Sequence, residues 1–126
     1  MSITEIGRQG EKLAREILLT MGVDSIFQAD WLVQKNEKWY VVEVKHKEIF
    51  KPPPFCGQGL NIRQVKTRMQ FYKDTGIRCL FLVIDLYTGA RYWQWLDVLE
   101  KSRYFDTRNG IRIYNIANFN SLSIPA

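Results

Sequence analysis

Apolar residues at Ile6, Leu13, Ile17 and Met21 recur at the helical period, so residues 4–21 are expected to form an amphipathic helix. Thr4 is its natural cap and Gly22 its stop. Glu11 lies at the edge of the apolar stripe, on the side of Ala14 and Leu18, and can face inward. Arg8, Lys12, Arg15 and Glu16 lie farther round, in solvent. Two β-rich runs follow, residues 25–33 and 38–46, separated by the polar stretch 34–37, which reads as a hairpin. The second run is aromatic and β-branched on both faces, as expected of a central strand covered on both sides.

Residues 50–57 contain three consecutive prolines, which forbid helix and ladder alike, so an extended loop is expected there. A second helix is predicted over residues 58–75, with Ile62, Val65, Met69 and Tyr72 on one face and Gly76 as its stop. Gln64 falls on another face, between Leu60 and Phe71. The run 79–84 reads as a buried strand, 87–90 as a turn, 91–96 as a strand and 97–102 as a short helix. Asn109 and Gly110 signal a turn, and 111–116 alternates as a late strand before a polar tail. This order predicts an α/β fold, a mixed sheet with the second helix crossing between strands. No internal repeat or linker interrupts the 126 residues, which are expected to form one domain.

An apolar fraction of 46% supports a real core and sets aside disorder. No run of eighteen apolar residues occurs, and the N-terminus lacks a signal-peptide layout, so an intracellular protein is expected, cytoplasmic or with nucleic acid rather than secreted or in a membrane. Cys56 and Cys79, with His46 the single histidine, form no zinc-ligand pattern and read as free thiols. His46 falls on the strand face opposite Lys45, which favours a structural or surface role.

The net charge of +5 is concentrated. Between Lys45 and Arg78 there are eight basic residues against two acids, a local balance of +6, while the remainder is near neutral. A basic segment of this kind suits a polyanion, because neutralising phosphates releases counterions; a merely solvated surface is the plain alternative. Lys47, Lys51, Arg63, Lys66 and Arg68 are the candidate nucleic-acid contacts. Lys47 and Lys51, with the proline loop, are expected to border the cleft.

Within the central strand, Glu43 and Lys45 emerge on one face, about 6.5–7 Å apart along the axis. An unpaired buried ion costs several kcal/mol, so the pair is either a structural salt bridge or a site open to solvent and metal. Asp30, thirteen positions before Glu43, can converge on the same sheet edge from the preceding strand. Two carboxylates that meet repel each other unless a cation joins them, and Mg²⁺ takes carboxylate, water and phosphate oxygens.

Asp30, twelve intervening residues and then Glu43-Val44-Lys45 resemble the D…ExK signature of the PD-(D/E)xK nuclease superfamily. Gly7-x-x-Gly10-Glu11 in the first helix, the paired strands and Gln64 in the next helix resemble the Holliday junction resolvase-like branch and its viral relatives, over most of residues 5–85. Ala29 stands where the superfamily's name has proline. The resemblance implies a restriction-endonuclease-like sheet flanked by helices and a Mg²⁺-dependent endonuclease cleaving DNA, with Mn²⁺ as substitute and branched DNA as a substrate. It implies Asp30, Glu43 and the Val44 carbonyl as metal ligands, with Glu11 assisting directly or through water, and Gln64 positioning Lys45 or a ligand. It also implies a homodimer, because two sites can then meet symmetric strands.

The plain alternatives are an ion pair of Lys45 with Glu43 or Asp30, and a backbone-bonded Glu11. At the level of the whole protein they are a catalytically silent nucleic-acid-binding module of the same fold, or an assembly protein whose Tyr40, Trp93, Trp95 and Tyr114 form a dimer surface. Trp93 and Trp95 share one strand face and are expected in the core rather than stacked on bases.

Overall fold

The centre of the molecule is a parallel pair of strands, β3 (Lys38–Lys47) and β5 (Arg78–Asp85), with Glu43 opposite Phe81 and Lys45 opposite Val83. Six residues of β5 in succession are buried, because the sheet is covered on both faces at this strand. The computed structural model describes residues 9, 13, 16, 17, 25–27 and 32–122. Among these, a six-stranded mixed sheet has the order β1-β2-β3-β5-β6-β9, with β1 (Ser25–Phe27), β2 (Leu32–Lys35), β6 (Arg91–Trp95) and β9 (Asn120–Leu122) all antiparallel to their neighbours. A second, antiparallel sheet has the order β4 (Gly57–Asn61), β8 (Ile111–Asn115), β7 (Tyr104–Asp106). Helices α1 (Ile62–Thr75) and α2 (Leu96–Glu100) complete a single mixed α/β domain. No helix of the described residues is long and apolar enough to cross a membrane.

Strand alternation divides the interior into two cores. Val41, Cys79, Phe81 and Val83 face α1, α2 and the small sheet, meeting Leu60, Val65, Leu96, Leu99, Tyr114 and Phe119. Val42, Leu80, Leu82 and Ile84 face the other way and meet Val33 and Ile17, with Leu13, Tyr40, Trp93 and Trp95 packed around them. Leu13 and Ile17 are helical, as are Gln9 and Glu16, in agreement with the predicted first helix at the positions described. Each large apolar side chain buried in this way contributes about 1.5–3 kcal/mol.

Three expectations are corrected. The run 25–33 is not one strand: Ser25–Phe27 and Leu32–Lys35 pair antiparallel with each other, Ser25 opposite Gln34 and Phe27 opposite Leu32. The turn before β3 is also tighter than residues 34–37. Gln34 and Lys35 belong to β2, and the reversal falls on Asn36 and Glu37, both with positive φ (51° and 67°), as a type I′ hairpin turn requires.

The second correction concerns residues 58–61, which are strand rather than helix. Gly57 and Gly59 let β4 lie against β8 so closely that a methyl group on either would overlap the carbonyl oxygen of Tyr114 or Arg112. Buried Gln58 donates to the Glu48 carbonyl and accepts from the Gly59 N–H. The helix starts after Asn61, whose side chain accepts from the Arg63 N–H, and ends at Gly76 with φ 77°. The third concerns two short strands in stretches where no strand is predicted, β7 in the second sheet and β9 at the edge of the first. The proline loop is closed at its base by paired hydrogen bonds between Phe50 and Gly57.

Candidate functional site

Glu43 and Lys45 lie one pleat apart on the face of β3 that looks toward α1. The Glu43 Oε1 accepts from the Arg68 Nε at 2.6 Å, and both side chains are largely shielded, 14% and 21% exposed. Arg68 makes no other hydrogen bond with a described residue. Lys45 is half-buried and makes no hydrogen bond or ion pair with any described residue. Burial pushes its ammonium pKa down, the charge of Lys47 pushes it further, and Glu43 opposes both. Cys79 sits beneath Glu43 with its thiol pushed up to about 12, by burial first and the carboxylate second, and is an inert core residue.

The helix runs antiparallel to β3. Its C-terminal residues Thr75 and Gly76 line a 360 Å³ surface cavity with Lys38, Trp39 and Tyr40 at the start of the strand, while Arg68 reaches Glu43 midway. One turn before Arg68, about 6 Å along the helix, comes Gln64, exposed and advanced in the direction of Lys45. That places Gln64 on the row of α1 that borders the pair.

Backbone groups alternate along β3 as the side chains do. The two-residue turn closes on Lys35 and Lys38, so even-numbered residues direct N–H and C=O toward β2 and odd-numbered ones toward β5. The Lys47 carbonyl accepting from the Leu86 N–H on the β5 side agrees. Among the described residues, β2 pairs with β3 only as far as Val41. The Val44 carbonyl is therefore directed to an edge that the described residues leave open. The Glu43 carboxylate and this carbonyl are both hard oxygen donors, the class that magnesium takes.

Asp30 and Glu11 lie outside the described residues. The helical residues near Glu11 that are described, Leu13 and Ile17, pack on the face opposite Glu43 and Lys45. No group of three His, Cys, Asp or Glu able to hold a metal occurs among the described residues. Of the candidate nucleic-acid contacts, Lys47, Lys51, Arg63 and Lys66 are exposed, whereas Arg68 is turned inward onto Glu43. Arg78 is also removed from the basic surface, by a two-point pair with Asp97 and stacking over Trp95 at 4.2 Å.

Tyr114 cannot form a dimer surface. It is fully buried, and its hydroxyl donates to the Glu100 Oε2 at 2.9 Å. Trp93 and Trp95 pack against the second core, as expected, with the Tyr40 ring tilted against Trp95 at 5.0 Å between centroids. His46 points to the face opposite Lys45 and is half-buried. The residue that sequence reasoning misplaced is Arg68. Its signal was its spacing, four positions after Gln64, which puts both on one helix row. No family model, no curated protein sequence and no solved structure matches the chain.

Proposed function

We propose that the protein is a magnesium-dependent endonuclease of the PD-(D/E)xK type, cleaving DNA phosphodiesters, with branched, Holliday junction-like DNA as substrate and a homodimer as the working form. The observation that carries this reading is the placement of Lys45. An ammonium group half-buried beside Glu43, without a hydrogen bond to any described residue, is costly unless something else uses it. A phosphate oxygen is the partner that suits a desolvated cation, and Glu43 beside it suits a metal.

In this reading Glu43 and the Val44 carbonyl hold Mg²⁺ together with Asp30, Glu11 assists directly or through water, and Mn²⁺ can substitute. The ion supplies a water of lowered pKa and charge for the departing oxyanion. Lys45 orients the water or offsets charge on the phosphate, and its lowered pKa favours proton exchange there. Gln64 steadies Lys45 from the helix row above. Lys47, Lys51, Arg63 and Lys66 hold the flanking backbone, so binding weakens as salt rises.

A second reading, a nucleic-acid-binding module that keeps the fold and cleaves nothing, is favoured by one observation: Arg68 already neutralises Glu43. The two are separated by cleavage of a labelled panel, comprising a four-way junction, a flap, linear duplex and single strands, with Mg²⁺ and with chelator. Metal-dependent cutting that falls at least about 100-fold in both Glu43→Gln and Lys45→Ala supports the nuclease. Salt-sensitive binding without cutting supports the silent module, and neither binding nor cutting removes both.

A further inference from the structure

We propose that Arg68 is a metal-linked phosphate ligand: a divalent cation competes with Arg68 for Glu43, and the displaced guanidinium takes the substrate phosphate, so that metal and phosphodiester bind cooperatively. The inference rests on the magnesium reading of the same site.

Its starting point is the incomplete use of Arg68. Toward the described residues only Nε is engaged, on Glu43 Oε1 at 2.6 Å, and none of them accepts from its terminal nitrogens. Arg112 in the same protein shows the saturated alternative, with Nε and both terminal nitrogens bonded to Asp106 and Glu100. A largely shielded guanidinium whose terminal nitrogens no described residue takes is a ready ligand for a planar pair of phosphate oxygens.

Charge then dictates the exchange. Lys45 and Arg68 already place two cations around the one described carboxylate of the site. A divalent ion on Glu43 would face the Arg68 charge at a few ångströms between largely shielded side chains, where like charges repel strongly. The arginine can leave without disturbing the fold, because α1 is anchored by Val65 and Met69 and only the flexible side chain has to swing. Once off Glu43, the guanidinium lies beside Lys45 and needs an anion, and the scissile phosphate supplies it. Metal binding thus prepares the phosphate ligand, and by linkage the phosphate tightens the metal to the same degree.

The test is Mn²⁺ binding, followed by the electron paramagnetic resonance signal of free Mn²⁺. It is run with and without a short DNA duplex carrying phosphorothioate linkages, for wild type, Arg68→Ala, Arg68→Gln and Glu43→Gln. Arg68→Ala should bind Mn²⁺ at least about fivefold more tightly than wild type without DNA. The duplex should tighten Mn²⁺ on wild type by about fivefold or more and leave Arg68→Ala nearly unchanged. Arg68→Gln keeps a neutral donor toward Glu43, so it reports on the lost charge if the alanine variant does not fold. Equal or weaker Mn²⁺ binding in the folded Arg68 variants, or equal tightening by DNA in all, overturns the inference. If Glu43→Gln still loses the metal in that case, the nuclease reading survives without it. Mn²⁺ binding unaffected by Glu43→Gln, or none in any protein, removes both.

Discussion

The Glu100–Arg112 cluster and the Glu43–Arg68–Lys45 cluster lie on the same side of the central sheet and use the same residue types, yet they are finished differently. Arg112 bonds Asp106 twice, at 2.9 and 3.1 Å, and Glu100 at 2.8 Å, stacks 4.0 Å over Tyr104, and the other Glu100 oxygen accepts from Tyr114. Two acids surround one cation and take a bond from each of its three guanidinium nitrogens, while the hydroxyl takes the remaining Glu100 oxygen, so the donors are spent. Around Glu43 the ratio is reversed, one described acid to two cations, and Lys45 makes no hydrogen bond with a described residue. Saturated networks fix a structure, whereas an unfinished one has affinity to spare. Pairing, rather than the presence of charge, separates the brace from the candidate site.

The largest test of this contrast is removal of the brace's cation. Arg112→Met leaves Glu100 and Asp106 without their partner, and we expect a loss of about 3 kcal/mol in urea unfolding, the cost of stranding a shielded charge. A change below about 1 kcal/mol would show that the cluster is not the brace described. Tyr114→Phe removes one bond to Glu100 from a fully buried ring and should cost about 1–1.5 kcal/mol by the same measurement.

The candidate site should respond with the opposite sign. Lys45→Met removes a shielded ammonium and keeps its stem, so the fold should gain about 0.5 kcal/mol or more while any cleavage is lost. The sign follows from linkage. The folded-state pKa of Lys45 lies below its ordinary value of 10.5, so in the window between the two the unfolded chain binds more protons. The burden of Lys45 is therefore fully present at lower pH and is relieved as pH rises toward 10.5, and wild type and Lys45→Met should converge in stability there. Destabilisation by Lys45→Met at neutral pH would mean that Lys45 is a structural ion after all.

The hairpin turn offers a smaller check that is independent of both clusters. Glu37 holds φ 67°, where a Cβ costs about 1–2 kcal/mol. Glu37→Gly should therefore raise stability by about 1 kcal/mol without affecting binding or cleavage.

Much of the fold was legible in local pattern. The apolar run of β5, the helix stop at Gly76 and the Asn109–Gly110 turn, with Gly110 at φ 81°, each carry their reason within a few residues. The face shared by Glu43 and Lys45 was legible too, because the pleat has a period of two. The β4 strand was not. Gln58 and Gly59 carry no strand propensity, and their extended form depends on β8, more than fifty residues later. Short strands β7 and β9 are likewise defined by the partners they find, Arg112–Tyr114 and Arg91–Trp93.

The site divides along the same line. Sequence by itself determined which charges interrupt an apolar strand, that they share a face, and that a basic helix follows, because these depend on spacing alone. Only the tertiary structure decided that Arg68, 25 residues from Glu43, turns inward to pair with it. It also decided that Arg78 is taken by Asp97, Tyr114 is buried as part of a brace, and Lys45 makes no hydrogen bond with a described residue. The physical reason is that an ion pair is a contest among all acids and bases within a few ångströms, and the crossover that brings α1 over β3 settles which of them compete.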